Sequence, residues 1–344
     1  MASHHRLRHN DIGDYGSIAL LEYLCSDAGR RIELLYLDFN GTGLGDIGLR
    51  AVSSYIRGNP TLEVLHLQNN QFTGSQDVIA DFTEALNESR VSGLSLAGNP
   101  SLSDNLSKAL FPNLTTPHLR TLDISLVSLT SDSAPFIINY IQSPRSRHLR
   151  ELRCNGNRLG PSLRNIVRAI RDQNFSLERL EFFANSGAGV PLANGDDRPS
   201  DEEGDDPDLY PLTAMWATLK RCRERNTFLR STTETEALRL LVVTRCMLFG
   251  SHRTREQVRT VTWGDLPAEL KLEILSYIAP NLSPSQRIHV TSYAADATTL
   301  PPLDRLPTPG KARPSKDATR SSWLHRMESD HFDVTNDTLV RYNH

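Results

Sequence analysis

Leu62-Glu63-Val64-Leu65-His66-Leu67-Gln68-Asn69-Asn70 is the stretch whose reading decides the fold. Leu65 and Leu67 alternate with Val64, His66 and Gln68, the two-residue period of a strand with one face buried. The pattern Leu-x-x-Leu-x-Leu-x-x-Asn recurs in six copies, opening at Ile32, Leu62, Val91, Leu119, Leu149 and Leu177, with spacings of 30, 29, 28, 30 and 28. After each copy the apolar residues change to a spacing of three and four, as in Val52, Tyr55 and Ile56, or Leu163, Ile166 and Ile170. That is the period of an amphipathic helix. The unit is therefore one short strand and one helix, repeated.

A strand-helix unit of this length and wording resembles the leucine-rich repeat of the ribonuclease-inhibitor type. The resemblance covers 1–250 and implies an α/β leucine-rich-repeat solenoid, a horseshoe with a parallel sheet on its concave face. Such a solenoid offers an extended surface to another macromolecule and has no enclosed pocket. The asparagines that close the copies, Asn40, Asn70, Asn99, Asn157 and Asn185, are expected to bond backbone groups of the adjacent coil and form a ladder. The fourth copy has Val127 there, which predicts a local irregularity. Cys154 stands at an inward leucine position and reads as a small buried hydrophobe. Upstream, Asn10-Asp-Ile12-Gly-Asp-Tyr-Gly-Ser-Ile18 matches the end of a further partial unit whose strand is reduced to Leu7. Little sequence precedes it to act as a cap.

The last unit is longer than the others. Asn59-Pro-Thr-Leu62, Asn174-Phe-Ser-Leu177 and Asn226-Thr-Phe-Leu229 read as three copies of one helix-to-strand junction. The segment 186–209 then becomes a loop inserted between the sixth strand and a helix carrying Trp216, Leu219 and Cys222. A closing cap follows over 229–250. The insert is acidic, with Asp196, Asp197, Asp201, Glu202, Glu203, Asp205, Asp206 and Asp208 against Arg198, so it reads as an extended, solvated spacer. Ser200-Asp-Glu-Glu within it has the form of an acidophilic kinase target, a possible phosphosite at Ser200.

Beyond the cap, Trp263-Gly-Asp-Leu266-Pro267-Ala-Glu-Leu270-Lys-Leu-Glu-Ile274-Leu275-Ser-Tyr-Ile278 predicts a short helix. Asp265 is placed to cap it, Leu270, Ile274, Leu275 and Ile278 form an apolar stripe, and Pro280 stops it. This wording resembles the opening helix of an F-box, and the combination resembles a fungal group of RNI-like proteins. The F-box resemblance covers 264–300 and implies docking of a Skp1-type adaptor of an SCF-type ubiquitin ligase through Leu266, Pro267, Leu270, Ile274, Leu275 and Ile278. Two departures stand out: Gln286–Tyr293 lacks the usual Cys-x-x-Trp, and the motif follows the repeats rather than preceding them. The remainder, 301–344, is rich in proline, serine, threonine and basic residues and reads as a largely disordered tail. Trp323–Met327 is an apolar interruption in it.

The net charge of −3 gives no whole-chain argument for nucleic-acid or membrane binding, and 38% hydrophobic content suits a folded chain. Four cysteines without a Cys-x-x-Cys pair argue against a disulfide framework and a zinc site. They also argue against inhibition of a secreted ribonuclease, since such inhibitors are cysteine-rich. With no apolar run long enough for a membrane span and no signal core, the expectation is a cytoplasmic or nuclear protein. No catalytic constellation emerges. Gly41–Gly45 is turn material rather than a phosphate loop, and His4, His5 and His9 fall in an expected fray. The chain therefore reads as a non-enzyme without cofactor or metal.

The candidate site is the outward row of the strands. It reads Leu34, Tyr36 and Asp38 in the first copy, and Val64, His66 and Gln68 in the second. Glu151, Arg153 and Asn155 follow in the fifth, with Arg179, Glu181 and Phe183 in the sixth. Its middle copies are small and bland; its ends carry the aromatic and charged groups found at binding hot spots. The partner-binding residues expected are Tyr36, Asp38, His66, Arg153, Arg179, Glu181 and Phe183. The leading functional expectation is a protein-binding scaffold linked to a ubiquitin ligase. One alternative, a GTPase regulator, rests on a resemblance of repeats plus acidic segment to the Ran GTPase-activating protein; the other is a binding scaffold with no ligase link.

Overall fold

A computed structural model describes residues 3–6, 10–185, 212–249, 266–299 and 316–334. Two compact units divide the chain, 1–224 and 225–344. Among the described residues the first contains seven parallel strands in sequence order: β1 (Ser3–Arg6), β2 (Leu34–Asp38), β3 (Val64–His66), β4 (Gly93–Ser95), β5 (Thr121–Asp123), β6 (Glu151–Arg153) and β7 (Arg179–Glu181). Each of the first six is followed by a helix: α1 (Gly13–Cys25), α2 (Asp46–Ile56), α3 (Gln76–Asn87), α4 (Ser103–Leu110), α5 (Ala134–Gln142) and α6 (Leu163–Gln173). Among the described residues no helix is long and apolar enough to cross a membrane.

The register is set by the inward leucines. Leu37, Leu65, Leu94, Leu122, Leu152 and Leu180 lie side by side across the sheet. This moves the first repeat by two residues from its expected frame: its motif is Leu34-x-x-Leu37-x-Phe39-x-x-Thr42, so the spacing to Leu62 is 28. Leu34 and Phe39 are fully buried, whereas Leu35 is only half-buried. The outward row of the first repeat is accordingly Tyr36, Asp38 and Asn40, and Leu34 is not part of it. The closing position belongs to Thr42, not to Asn40. Upstream, β1 supplies the strand that the sequence had reduced to Leu7, pairing with β2 from Ser3 to Arg6.

The closing asparagines do form a ladder. Asn70 Nδ2 donates to the carbonyls of Phe39 (2.9 Å) and Leu67 (3.0 Å), one on each of two successive coils. Its Oδ1 accepts from the amides of Thr42 (3.3 Å) and Leu44 (3.1 Å). Asn99 repeats this on Leu67 (3.0 Å) and Leu96 (2.7 Å), and Asn185 on Cys154 (2.7 Å) and Phe182 (2.9 Å). Asn157 donates to Ile124 O at 3.0 Å and accepts from the amides of Val127 and Leu129, both at 3.1 Å. Burial pushes the Cys154 thiol up to about 12, although a bond from Asn157 opposes this and the charge of Asp123 adds to it.

The predicted irregularity lies at the fourth repeat. Val127 is buried but has no side-chain amide to make a rung, and Ser128 after it takes a positive φ of 63°; the positive φ of Leu126 is shared by the equivalent Gly41, Asn69, Gly98, Gly156 and Ala184. The same seam holds Asp104, whose carboxylate accepts from Thr130 N (2.8 Å), Thr130 Oγ1 (2.6 Å) and the Ser133 hydroxyl. Burial would raise this carboxyl, but the bonds from Ser133 and Thr130 outweigh it, and it titrates below the ordinary aspartate value.

The helix α7 (Leu212–Phe249) corrects a second expectation. No junction forms at Asn226-Thr-Phe-Leu229; one continuous helix of 38 residues runs through it. The physical reason is plain, because 212–249 contains neither glycine nor proline, and the asparagine alone does not break a helix. Met215, Leu219 and Cys222 join the core of the first unit.

The second unit has its own core. Helices α8 (Ala268–Ile278), α9 (Pro284–Ala295) and α10 (Lys316–Arg326) contribute Leu275, Val290, Ala294 and Leu324, which gather with Ala237, Leu240 and Leu241 of α7. A capping box opens α9, with Ser283 Oγ accepting from Gln286 N and Gln286 Oε1 accepting from Ser283 N. The Gln286 amide also donates to the carbonyls of Glu328 (3.2 Å) and His331 (2.9 Å). The disordered tail expected from 301 onward is therefore interrupted by an ordered segment, 316–334. It folds because Leu324, Met327 and Phe332 find burial in a stretch free of proline.

Removing one rung tests the ladder. Asn99→Ala removes the bond to Leu96 O and the acceptor of the Asn70 amide, while Leu67 O keeps its bond from Asn70 Nδ2, and each buried orphan costs about 1–3 kcal/mol. Urea unfolding monitored by circular dichroism should show a loss of roughly 3 kcal/mol. An unchanged midpoint would mean that the amide is dispensable.

Candidate partner-binding face

Because β2 to β7 run parallel and in register, their outward residues form columns across the sheet. At the first end, Tyr36, Asp38 and His66 come together. Tyr36 Oη lies 2.8 Å from His66 Nδ1 and donates to Asp38 Oδ2 at 3.3 Å. The two rings meet edge to face at 5.0 Å. Asp38 is buried despite its outward position, and Asn40 N donates to its Oδ1 at 3.0 Å. The arrangement reads as a hydrogen-bonded relay in which His66 donates through Nδ1 to Tyr36, and Tyr36 donates onward to the carboxylate.

In the middle of the face the side chains are short. Gly93, Ser95 and Ala97 stand beside Thr121, Asp123 and Ser125, with Ser95 Oγ donating to Asp123 Oδ2 at 3.4 Å. The far end is charged. Register sets Glu151 beside Arg179 and Arg153 beside Glu181. Arg153 pairs with Glu151 and lies 3.6 Å from Glu181, while Arg179 reaches Glu151 at 3.5 Å. Asn155 completes the network, donating from Nδ2 to Glu181 (3.1 Å) and accepting from Phe183 N (2.8 Å). Arg179 remains 63% exposed at its side chain, and the Phe183 residue is 56% exposed. Phe183 stacks on Trp216 of α7 with ring centroids 4.8 Å apart.

Six of the seven expected face residues are strand residues and Phe183 follows β7 by two positions; they fall in two groups separated by the bland centre, Tyr36, Asp38 and His66, then Arg153, Arg179, Glu181 and Phe183. Glu151 and Asn155 stood in the expected outward row of the fifth copy but were not among the expected contacts, and Trp216 was read only as a residue of the following helix. The signal for Glu151 was present, since it lies 28 residues before Arg179 with opposite charge. Nothing in the sequence pairs Phe183 with Trp216 across the segment between them. Of the residues read as adaptor-docking, Leu275 is buried in the second core, Leu266, Ile274 and Ile278 are half-buried, and Pro267 and Leu270 are exposed. Ser200 and the acidic insert lie outside the described residues, as does His9. His4 and His5 belong to β1.

The family model described as leucine-rich repeat matches residues 58–75. No curated protein matches the chain. Among solved structures, the tropomodulin C-terminal domain of Caenorhabditis elegans is 19% identical with a TM-score of 0.36, covering 52% of this chain and 93% of that one. Leiomodin-1 actin-binding site 2 is 18% identical with a TM-score of 0.37, covering 52% of this chain and 87% of that one.

The relay makes a spectroscopic prediction. His66 should carry its proton on Nδ1 near neutral pH, and Tyr36→Phe should shift it toward the Nε2–H form. Nitrogen-15 chemical shifts of the ring check this; an unchanged tautomer in Tyr36→Phe would refute the relay. The fold these columns belong to is a leucine-rich-repeat solenoid of alternating parallel strands and helices, accompanied by a C-terminal helical region.

Proposed function

We propose that this chain is a protein-binding scaffold whose partner lies on the outward face of the β2–β7 sheet. The observation that carries the reading is the far end of that face, where exposed Arg179 and the Phe183–Trp216 stack stand together. Arginine and aromatic groups held in place by their neighbours are what dominate binding energy at protein interfaces. Here Glu151 and Asn155 do the holding. The partner's footprint takes in Arg153, Arg179, Glu181 and Phe183, with Tyr36, Asp38 and His66 as a second anchor. The bland middle lets a partner approach the sheet closely.

Affinity capture from native cells with isotope-labelled quantification tests this. Arg179→Glu combined with Phe183→Ala should lower recovery of specific partners at least about tenfold. Asp77→Ala, a control on α3 outside the face, should retain them. Equal recovery in both variants would move the binding site elsewhere.

A second element of the reading is the link to a ubiquitin ligase through a Skp1-type adaptor. Its support is the exposure of Leu270 and Tyr277, seven residues apart on one face of α8, while Leu275 turns into the core. The full chain should co-purify with the adaptor, and Leu270→Asp with Tyr277→Asp should abolish this without lowering the melting temperature. Absence of co-purification with the unaltered chain would remove the ligase and leave the scaffold.

A further inference from the structure

One turn position takes the left-handed region in every repeat. Gly41, Asn69, Gly98, Gly156 and Ala184 fill it elsewhere, and the fourth repeat has Leu126 there at φ 56°. Glycine adopts that region freely and asparagine tolerates it, whereas a bulky side chain in it is strained. Burial does not compensate, because Leu126 is 58% exposed. Its side chain lies over the next coil, where a Cβ on Gly156 would collide with Leu126 Cδ2. Gly156 N in turn donates to Phe183 O at 2.8 Å. An exposed leucine thus lies along the coils toward Phe183, in a backbone conformation that proteins keep at places where a ligand is gripped.

Three residues before Leu126, the same strand presents Asp123. The outward row of β2–β7 has four carboxylates, Asp38, Asp123, Glu151 and Glu181, against two guanidiniums, Arg153 and Arg179, so it is net negative. Both guanidiniums are engaged by the glutamates, Arg153 by Glu151 and Glu181, and Arg179 by Glu151. Asp38 is tied to Tyr36 and to the Asn40 amide. Asp123 is held by neutral groups, accepting from Ser95 Oγ at 3.4 Å and Ser125 N at 3.0 Å, while Arg153 beside it in register turns to the glutamates. It stands where Gly93, Ala97 and Thr121 are short, so a long side chain from outside can reach it.

We propose that the partner segment crossing the centre of this face is basic and apolar together: a lysine or arginine received by Asp123, and an apolar side chain seated on Leu126. This rests on the reading of the β2–β7 face as the partner-binding surface, and it names the chemistry of what binds there. Charge complementarity selects the cation, since a net negative row repels an acidic segment and a polyphosphate backbone alike. The leucine supplies the contact that charge alone lacks, because covering it removes apolar area from water. Its side chain is already laid over Gly156, so little freedom is lost when the partner arrives. Asp123 and Leu126 belong to one coil, and one short segment meets both.

Selection of a random peptide library displayed on phage against the full chain tests this. Recovered peptides should be enriched in lysine or arginine close to leucine, isoleucine or phenylalanine, and a recovered peptide should bind more weakly as salt is raised. Asp123→Asn, which keeps the shape of the side chain, should lower that affinity at least about tenfold and flatten the salt dependence. Leu126→Gly, the residue of three other repeats at this place, should lower it by a similar factor without lowering the melting temperature. Failure to recover basic, apolar peptides, or full affinity in either variant, would overturn the proposal. So would a lower melting temperature in Leu126→Gly, which would assign the leucine to the fold. The capture experiment with Arg179→Glu and Phe183→Ala reads the face independently: loss of native partners there, with no basic peptide recovered here, removes this inference and leaves the face.

Discussion

A chain that turns sharply after a three-residue strand buries carbonyls and amides that no neighbouring strand can reach. Satisfying those groups is the constraint on which this solenoid depends, because an orphaned buried backbone group costs as much as several good contacts return. Asparagine meets it with one side chain, since the amide donates to two carbonyls and accepts from two N–H groups. At Asn70 all four partners come from two successive coils. The ladder thereby holds neighbouring repeats at one height, and that common height aligns the outward columns of the sheet.

Alignment has a chemical result at the far end of the face. Opposite charges two residues apart on one strand meet their complements on the next, so Glu151, Arg153, Arg179 and Glu181 make a closed set rather than four solvated groups. Exposed pairs of this kind add little to stability. Their effect is positional: they restrict the rotamers of long side chains before a partner arrives, which lowers the entropy lost on binding.

Most of this architecture was legible in the sequence because the unit repeats, and a period survives local noise. Where the reading went astray, the cause is physical in each case. In Leu34-Leu35-Tyr36-Leu37-Asp38-Phe39-Asn40 adjacent leucines permit two frames, and Asn40 imitates the closing residue. The true closing residue, Thr42, makes only part of the usual bonds, its hydroxyl donating to Phe39 O at 2.9 Å. The long α7 was divided on the strength of one asparagine, although no breaker was present. The ordered 316–334 segment was hidden by its polar composition, since three apolar side chains suffice when a core already exists to receive them. The face residues followed directly from strand alternation, but the Phe183–Trp216 stack is a contact between distant segments and has no local signature.

The missing rung at Val127 has a consequence for how the solenoid responds to acid. Every other seam from the first repeat to the sixth has an uncharged amide rung, whose bonds do not change with pH, and at the first of them Asp46 adds a carboxylate that accepts from Thr73 N and the Thr73 hydroxyl. Between the third and fourth repeats there is no amide rung, and the Asp104 carboxylate accepts from Thr130 and Ser133, most strongly while ionised. Its carboxyl is depressed in the folded chain, so its contribution is complete above the unfolded value of about 3.9 and disappears as pH falls through the folded one. In a stack where each repeat touches only its neighbours, cooperativity passes through every seam in turn. Acid therefore weakens the seam between the third and fourth repeats, where no amide rung backs up the carboxylate.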